Sequence, residues 1–341
     1  KKKKAQTFPD LCQEILHSLQ SFYPVTATEM GVHIHDGRLS DYSASSVRQM
    51  IRTLKQYEGR LASAMKTLPT AQDSITCRLV KSNVDIALLD LDKTEWFRKS
   101  PQLYVDEALY GVYYLVISQH APMEGKLPPI LARLKAIPSL LATARQHLRR
   151  PPSVWVQSAR LSLDAAQDFF QGLGDNLTQD FPNRAAEISR AVIAARDAMN
   201  DFANWLSTIE TGEDKGFAIG KTAFDYRLRN EYFLAYDSDS LLAIGENLLA
   251  LSQKFYSDYA KVLETQHQVG QDSVFVPSSF TRQDILDYYQ WETEQVRLFL
   301  EMNEIVTVPE DIAEVVVIET PEFMRSLHGG IAYQAGGPFD S

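Results

Sequence analysis

The feature that most constrains this chain is a helical repeat of apolar residues, which prolines interrupt at intervals. Between positions 47 and 65 the apolar side chains fall three or four residues apart, at Val47, Met50, Ile51, Leu54, Tyr57, Leu61 and Met65. This spacing places them on one face of a long amphipathic helix. Pro69 then ends that helix, because proline has no N–H to continue the hydrogen-bond ladder.

The same pattern recurs along most of the 341 residues. Thr7 is a capping residue before a first helix, and Thr281 with Asp284 forms a capping box before a late one. Residues 100–118 are apolar on most faces and predict a buried helix, whereas residues 121–130 are predicted to form a loop. Many helices with short connections indicate a mainly α, multi-helix scaffold.

A β-strand pattern appears only after Pro309. The β-branched run Ile312–Ile318 predicts a strand, and a strand needs a partner because its backbone groups are otherwise unpaired. Residues 330–334 are the predicted partner, so the chain is expected to hold the first strands of a small sheet at its C-terminal end. Two regions are predicted, a helical one over 1–210 and one over 211–341 that leads into the incomplete sheet.

Composition excludes some classes of function. The net charge is -10, which argues against a general nucleic-acid binder, since such proteins cluster Lys and Arg. The basic run Lys1 to Lys4 is interpreted as a tail. No stretch approaches the roughly 18 apolar residues of a membrane span. The only cysteines, Cys12 and Cys77, fit a reducing compartment, and they fit an exported protein with few cysteines equally well.

Two of the histidines form a weak metal-binding pattern. His33 and His35 are two residues apart and would share a face if they lay on a strand, as metal-binding pairs do. The favoured alternative is a turn shaped by Asp36 and Gly37 before a helix that starts near Ser43. No histidine is followed directly by glutamate, so the helical zinc-protease motif His-Glu-x-x-His is absent from the sequence.

Four segments, in this order, carry a resemblance to a known family. They are "YPVTATEMGVHIHDGRLSDYS", "ARLKAIPSLLATARQHLRRPP", "IGKTAFDYRLRNEYFLAYDSDSLLAIGENLL" and "IETPEFMRSLHGGIAYQAGGPFD". The chain resembles the bacterial domain-of-unknown-function 885 family over nearly its whole length. The block at residues 319–340 and the segment at residues 35–43 are its most specific parts.

The resemblance implies a zincin-like metallopeptidase in an intact family member, with a metal-bearing helix that follows the "GPFD" block. The sequence printed here has no counterpart of those zinc ligands, so neither stoichiometric zinc nor peptidase activity is expected of this polypeptide, and no catalytic or metal residue is transferred to it. A peptide would be the substrate of the intact protein. The resemblance places five residues at the edge of a substrate cleft: Tyr333, Gln334, Gly336, Gly337 and Pro338.

Three hypotheses follow. The chain is the N-terminal part of a metallopeptidase-like protein, or a non-catalytic helical binding or scaffold protein, or a metal enzyme built around His33 and His35.

Overall fold

Capping residues and prolines set the helix boundaries of this protein much as the sequence predicts. The computed structural model describes residues 7–68, 70–213, 215–265, 281–307, 314–325, 333, 335 and 337–339. Thr7 Oγ1 accepts from the Asp10 backbone N–H, and the Asp10 carboxylate accepts from the Thr7 N–H, which makes a capping box. Thr281 and Asp284 repeat the arrangement. Both predicted helix starts are therefore confirmed.

The described helices follow one another with short connections. Their bounds are α1 Phe8–Phe22, α2 Pro24–Glu29, α3 Ala44–Ala64, α4 Ala71–Leu88, α5 Trp96–Lys99, α6 Pro101–Ile117, α7 Met123–His147, α8 Ser153–Asp180, α9 Ala185–Leu206, α10 Lys221–Asn230, α11 Ser238–Thr265, α12 Arg282–Met302 and α13 Glu322–Arg325. Short 3-10 turns lie at His33–His35 and Pro182–Arg184, and a π-helical turn extends α4 over Leu89–Thr94. None of the described helices is long and apolar enough to cross a membrane.

The chain divides into two units. Unit 1 comprises residues 1–242 with 322–341, and unit 2 comprises Ala243–Pro321. The predicted division after residue 210 falls in the loop between α9 and α10 and stays a prediction about domains.

Helix α6 lies at the centre of unit 1, where it packs against α7 and α8. Its buried side chains include Tyr104, Leu109 and Leu115, which confirms the predicted buried helix. Phe323 of α13 completes the same core: it is 1% exposed, and its ring centroid lies 5.1 Å from that of Phe169 and 5.6 Å from that of Tyr113. The "TPEF" part of the C-terminal block is thus a core element of unit 1.

The loop predicted over residues 121–130 is wrong. Helix α7 begins at Met123 and contains Pro128, Pro129 and Pro138. An interior proline costs about 3 kcal/mol. Burial of Leu127, Ile130, Leu131, Leu134 and Ile137 on the same helix offsets this, since each fully buried aliphatic side chain contributes about 1.5–3 kcal/mol. The carbonyls of residues 124 and 125, which Pro128 and Pro129 leave without a helical donor, belong to exposed residues, so water can reach them.

The strand predicted over Ile312–Ile318 does not form in the described part, residues 314–318. The Gln290 side chain on α12 takes the place of a partner strand: Gln290 Nε2 donates to Val315 O at 2.9 Å, and the Val317 N–H donates to Gln290 Oε1 at 2.8 Å. One amide thus satisfies the two groups that a ladder would use. Of the predicted partner, residues 330–332 and 334 lie outside the described residues, and the described residues contain only an isolated bridge, between Pro152 and Gly212.

Candidate functional site

A buried arginine organises one end of unit 1. Arg133 of α7 has no exposed surface. Its Nε donates to Arg38 O at 2.9 Å, and its two terminal nitrogens donate to Gly111 O, Pro24 O and Thr28 Oγ1. The guanidinium therefore joins α2, α6, α7 and the segment after the His33–His35 turn. Desolvation by burial lowers the pKa of Arg133 to about 10, although the nearby Asp36 and Glu107 carboxylates act in the opposite direction.

Glu107 lies close enough to Arg133 for its carboxylate to act on the pKa of the guanidinium. Glu107 Oε1 accepts a 2.6 Å hydrogen bond from the Ser40 backbone N–H. Burial raises the pKa of Glu107, and the bond from Ser40 only partly opposes this. The carboxyl is thus a structural anchor for the segment that leads into α3.

The Arg133 network continues to a buried aspartate. Thr28 Oγ1, which accepts from Arg133, lies 2.6 Å from Asp36 Oδ1 and donates to it. The side chain of Asp36 is 7% exposed, and its second oxygen, Oδ2, lies 2.9 Å from His33 Nδ1 and 3.7 Å from His120 Nε2. One oxygen of the carboxylate is therefore fixed by threonine, and the other faces two imidazoles.

The two imidazoles lie face to face. The ring centroids of His33 and His120 are 3.4 Å apart with an interplanar angle of 12°. His120 lies in the loop between α6 and α7, where its Nδ1 is 2.8 Å from Ser118 Oγ. We refer to His33, Asp36 and His120 as the His–Asp–His cluster. In the part of the chain that the structure describes, it is the one group of three or more His, Cys, Asp or Glu side chains whose ligand atoms lie within 4.8 Å of one another.

The C-terminal block docks beside this cluster. The Phe339 N–H donates to Met30 O at 3.0 Å. A Cβ added to Gly337 would lie 2.4 Å from the Met30 carbonyl carbon and 2.5 Å from the Gly31 nitrogen. Only glycine permits this approach of two backbones. The C-terminal block, residues 319–340, therefore contacts the chain shortly before the segment at residues 35–43.

The two histidines of the His33/His35 pair have different surroundings. His33 joins the His–Asp–His cluster, but His35 does not. The pair lies in a 3-10 turn instead of a strand, so the two side chains point in directions about 120° apart around the axis. His35 is buried, its ring centroid lies 5.6 Å from that of His17, and desolvation lowers its pKa. The weaker alternative, a metal pair on one strand face, is therefore not what the structure shows, whereas the favoured turn before the helix at Ser43 agrees with it.

The proposed cleft residues are only partly described. Tyr333 is 76% exposed and Pro338 is also exposed, whereas Gly337 faces the backbone of residues 29–31. Gln334 and Gly336 lie outside the described residues. The assignment of these five residues to a substrate cleft stays a prediction.

Sequence reasoning missed Asp36 as a cluster member and missed His120 entirely. Asp36 is predicted to be a turn residue, and His120 follows it by 84 positions, directly before the segment predicted to form a loop. No spacing rule connects positions so far apart. The one local signal is Arg133, a charged residue on the apolar face of α7, which would need buried acceptors nearby.

Comparison with known proteins places the chain in a family. A family described as "Bacterial protein of unknown function (DUF885)" matches residues 24–341. The chain belongs to this family. The DUF885 match begins at Pro24, the first residue of α2, and so includes the Arg133 network and the His–Asp–His cluster. No curated protein matches the chain significantly.

A solved structure shares the DUF885 chain's fold. It is described as that of a "putative lipoprotein of unknown function from Shewanella oneidensis", and it is similar with a TM-score of 0.65 and 17% sequence identity. The similarity covers 90% of this chain and 59% of that one. At this identity the likeness concerns the fold alone. The chain therefore spans less than two thirds of the length of the relative that it matches.

Proposed function

We propose that this chain is the helical part of a longer, metallopeptidase-like protein, in which it supports the catalytic part and helps to form the substrate cleft. The exposed apolar surface of unit 2 carries this proposal. Helix α12 has 21 residues and buries none of them. Its exposed side chains include Tyr288, Trp291, Phe299 and Met302, the last of which is 82% exposed.

Helix α11 repeats the pattern within unit 2. Leu251, Phe255, Tyr256 and Tyr259 form an apolar surface along it, and Phe255 and Tyr256 are 72% and 77% exposed. Soluble monomers rarely leave contiguous apolar patches of this kind uncovered. Each such side chain contributes about 1.5–3 kcal/mol when fully buried, so several of them can hold a further domain in place.

The proposed occupant of this surface is further polypeptide of the same protein. The Shewanella relative supports this choice, because 41% of its length lies outside the similarity (100% minus 59%). The resemblance given in the sequence analysis implies peptide hydrolysis by the intact protein, and this activity is part of the proposal. These 341 residues contain no His-Glu pair, so the zinc-bound water and the glutamate base of such a mechanism would come from the additional polypeptide.

The test compares this chain with the full open reading frame that encodes it. Both proteins are incubated with a defined peptide mixture, and cleavage is followed by mass spectrometry with and without a chelator. We expect no cleavage by the 341-residue chain and chelator-sensitive cleavage by the longer one. Binding of an apolar dye, per molecule, should be lower for the longer protein, because its added polypeptide covers α11 and α12.

Matched variants localise the dye signal. Phe255→Ser together with Tyr259→Ser should reduce dye binding by the 341-residue chain, whereas Glu246→Ser together with Lys254→Ser on the same helix should not. Peptide cleavage by the 341-residue chain itself would overturn the proposal. So would a longer protein that binds as much dye as this chain does and cleaves no peptide; that result would favour a non-catalytic helical scaffold.

A further inference from the structure

We propose that the His–Asp–His cluster binds a divalent first-row transition-metal ion, at a site separate from any zinc site that further polypeptide would supply. The three ligand atoms are His33 Nδ1, Asp36 Oδ2 and His120 Nε2. Two of them come from the turn after α2, and the third comes from the loop before α7. The inference replaces the expectation, drawn from the sequence, that this polypeptide holds no stoichiometric zinc.

The distances between the ligand atoms fit a single small ion. A tetrahedral zinc ion with bonds of about 2.0–2.1 Å holds its ligands about 3.3 Å from one another. Asp36 Oδ2 lies 2.9 Å from His33 Nδ1 and 3.7 Å from His120 Nε2, on either side of that value. Both oxygen–nitrogen distances therefore lie within about 0.5 Å of the separation that a shared metal ion would impose.

The outer contacts already orient the ligands. Thr28 Oγ1 holds Asp36 Oδ1, and Arg133 in turn holds Thr28, so that Oδ2 is directed at the two imidazoles. Ser118 Oγ lies 2.8 Å from His120 Nδ1, which leaves Nε2 on the side of Asp36. Hydrogen bonds of this kind to the non-coordinating atoms of carboxylate and histidine ligands are typical of metal sites.

Binding requires one rearrangement. A metal ion lies in the plane of each imidazole that coordinates it, whereas the rings of His33 and His120 are parallel and stacked. The rings must therefore open. His120 can make this movement because its side chain is 20% exposed and lies in a loop between two helices, whereas the 7% exposed Asp36 is held in place. Opening the stack exchanges a ring contact for two metal–nitrogen bonds.

The chemistry of the cluster selects the class of ion. Two imidazoles and one carboxylate suit zinc and its first-row neighbours, whereas Mg²⁺ and Ca²⁺ prefer all-oxygen sites. Three protein ligands leave at least one coordination position for water or another ligand.

The experiment is a calorimetric titration of the 341-residue chain with Zn²⁺, and separately with Mg²⁺. We expect one saturable equivalent of Zn²⁺ and no saturable Mg²⁺. His120→Ala should weaken Zn²⁺ binding by more than tenfold, since even loss of an outer contact costs about 10–100-fold. Thr28→Val, which removes such an outer contact, should weaken binding by about tenfold.

His17→Gln is the matched control, because it changes an exposed histidine outside the cluster. It should leave Zn²⁺ affinity unchanged. The His120→Ala protein should keep its helical circular dichroism, so a lost signal reports the ligand and not the fold. Absence of a saturable equivalent, or an affinity that His120→Ala leaves as it was, would refute the proposal. Because the titration needs neither peptide cleavage nor a longer chain, its outcome is independent of the proposed function.

Discussion

The fully buried guanidinium of Arg133 donates a 2.6 Å hydrogen bond to Thr28 Oγ1. This contact joins α7 to α2 across 105 positions of sequence, and through Thr28 it determines where the carboxylate of Asp36 points. An arginine in such a position is stable only because every part of its guanidinium has an oxygen acceptor nearby. The packing of unit 1 and the geometry of the His–Asp–His cluster therefore depend on the same side chain.

Replacement of Arg133 should destabilise unit 1 strongly. Arg133→Met retains much of the side-chain volume but removes the guanidinium hydrogen bonds to three backbone carbonyls and to Thr28 Oγ1. We expect the free energy of unfolding to fall by about 3–5 kcal/mol in urea denaturation. Arg48→Met on the exposed face of α3 is the control and should change it by no more than about 0.5 kcal/mol. A loss below about 1 kcal/mol for Arg133→Met would contradict the assigned network.

The close approach of Gly337 to Met30 predicts a specific effect of one added methyl group. Gly337→Ala places its Cβ against the backbone of residues 29–31, which cannot move aside as a side chain can. We expect docking of the C-terminal block to weaken by about 1–3 kcal/mol. Hydrogen exchange at the Phe339 amide, which bonds Met30 O, should accelerate accordingly.

Gly172→Ala provides the comparison for Gly337→Ala. A Cβ at Gly172 in α8 meets nothing within 4 Å, so the substitution should be neutral or stabilising. Unchanged exchange at Phe339 in Gly337→Ala would show that the block does not dock as described.

The side chain of Gln290 should control the order of the segment at residues 315–317. Gln290→Ala removes the acceptor of the Val317 N–H and the donor to Val315 O, each worth about 0.5–1.5 kcal/mol. We expect faster hydrogen exchange at Val317. Gln290→Glu keeps the acceptor and loses the donor, so it should retain part of the protection.

Gln283→Ala tests whether any glutamine on α12 has this effect. The Gln283 amide bonds Asp287 on its own helix, so the Val317 amide should exchange as in the unmodified protein. Equal acceleration in both alanine variants would mean that α12 itself, and not the Gln290 contact, had been disturbed.

Glu187 should stabilise the protein in a pH-dependent way. Hydrogen bonds from Lys135 and Arg184 lower the pKa of its carboxyl from 4.5 to about 2. Because the folded state holds the proton less tightly than the unfolded state does, Glu187 contributes stability above about pH 4.5, and this contribution is lost as the pH falls toward 2. The stability difference between the unmodified protein and Glu187→Gln should therefore be present at pH 7 and shrink between pH 4.5 and 3.

Urea denaturation at several pH values measures this difference. Since Glu187 is about one third exposed, solvent screening keeps the effect small. Glu124→Gln, on an exposed residue of α7, serves as the control for removal of a negative charge. A Glu187→Gln difference that grew as the pH fell would reverse the assigned direction of the pKa shift.

Sequence patterns predict the helical class of this protein, the caps at Thr7 and Thr281 and the buried character of α6. These features depend on contacts within a few residues along the chain, and periodicity and capping residues report such contacts directly. The resemblance carried by residues 319–340 and 35–43 led to the DUF885 family, which the match over residues 24–341 confirms.

The remaining features depend on contacts between residues that are far apart in the sequence. Helix α7 passes through Pro128 and Pro129 because burial of its apolar face outweighs the lost hydrogen bonds, and that burial is invisible in local propensity. Residues 315–317 pair with the Gln290 side chain instead of a strand. A backbone N–H or C=O group can bond any suitable partner that the packing places close to it. His120 lies near Asp36 because the loop between α6 and α7 and the turn after α2 are close in space. The two residues are too far apart in the sequence for any helical or strand periodicity to connect them.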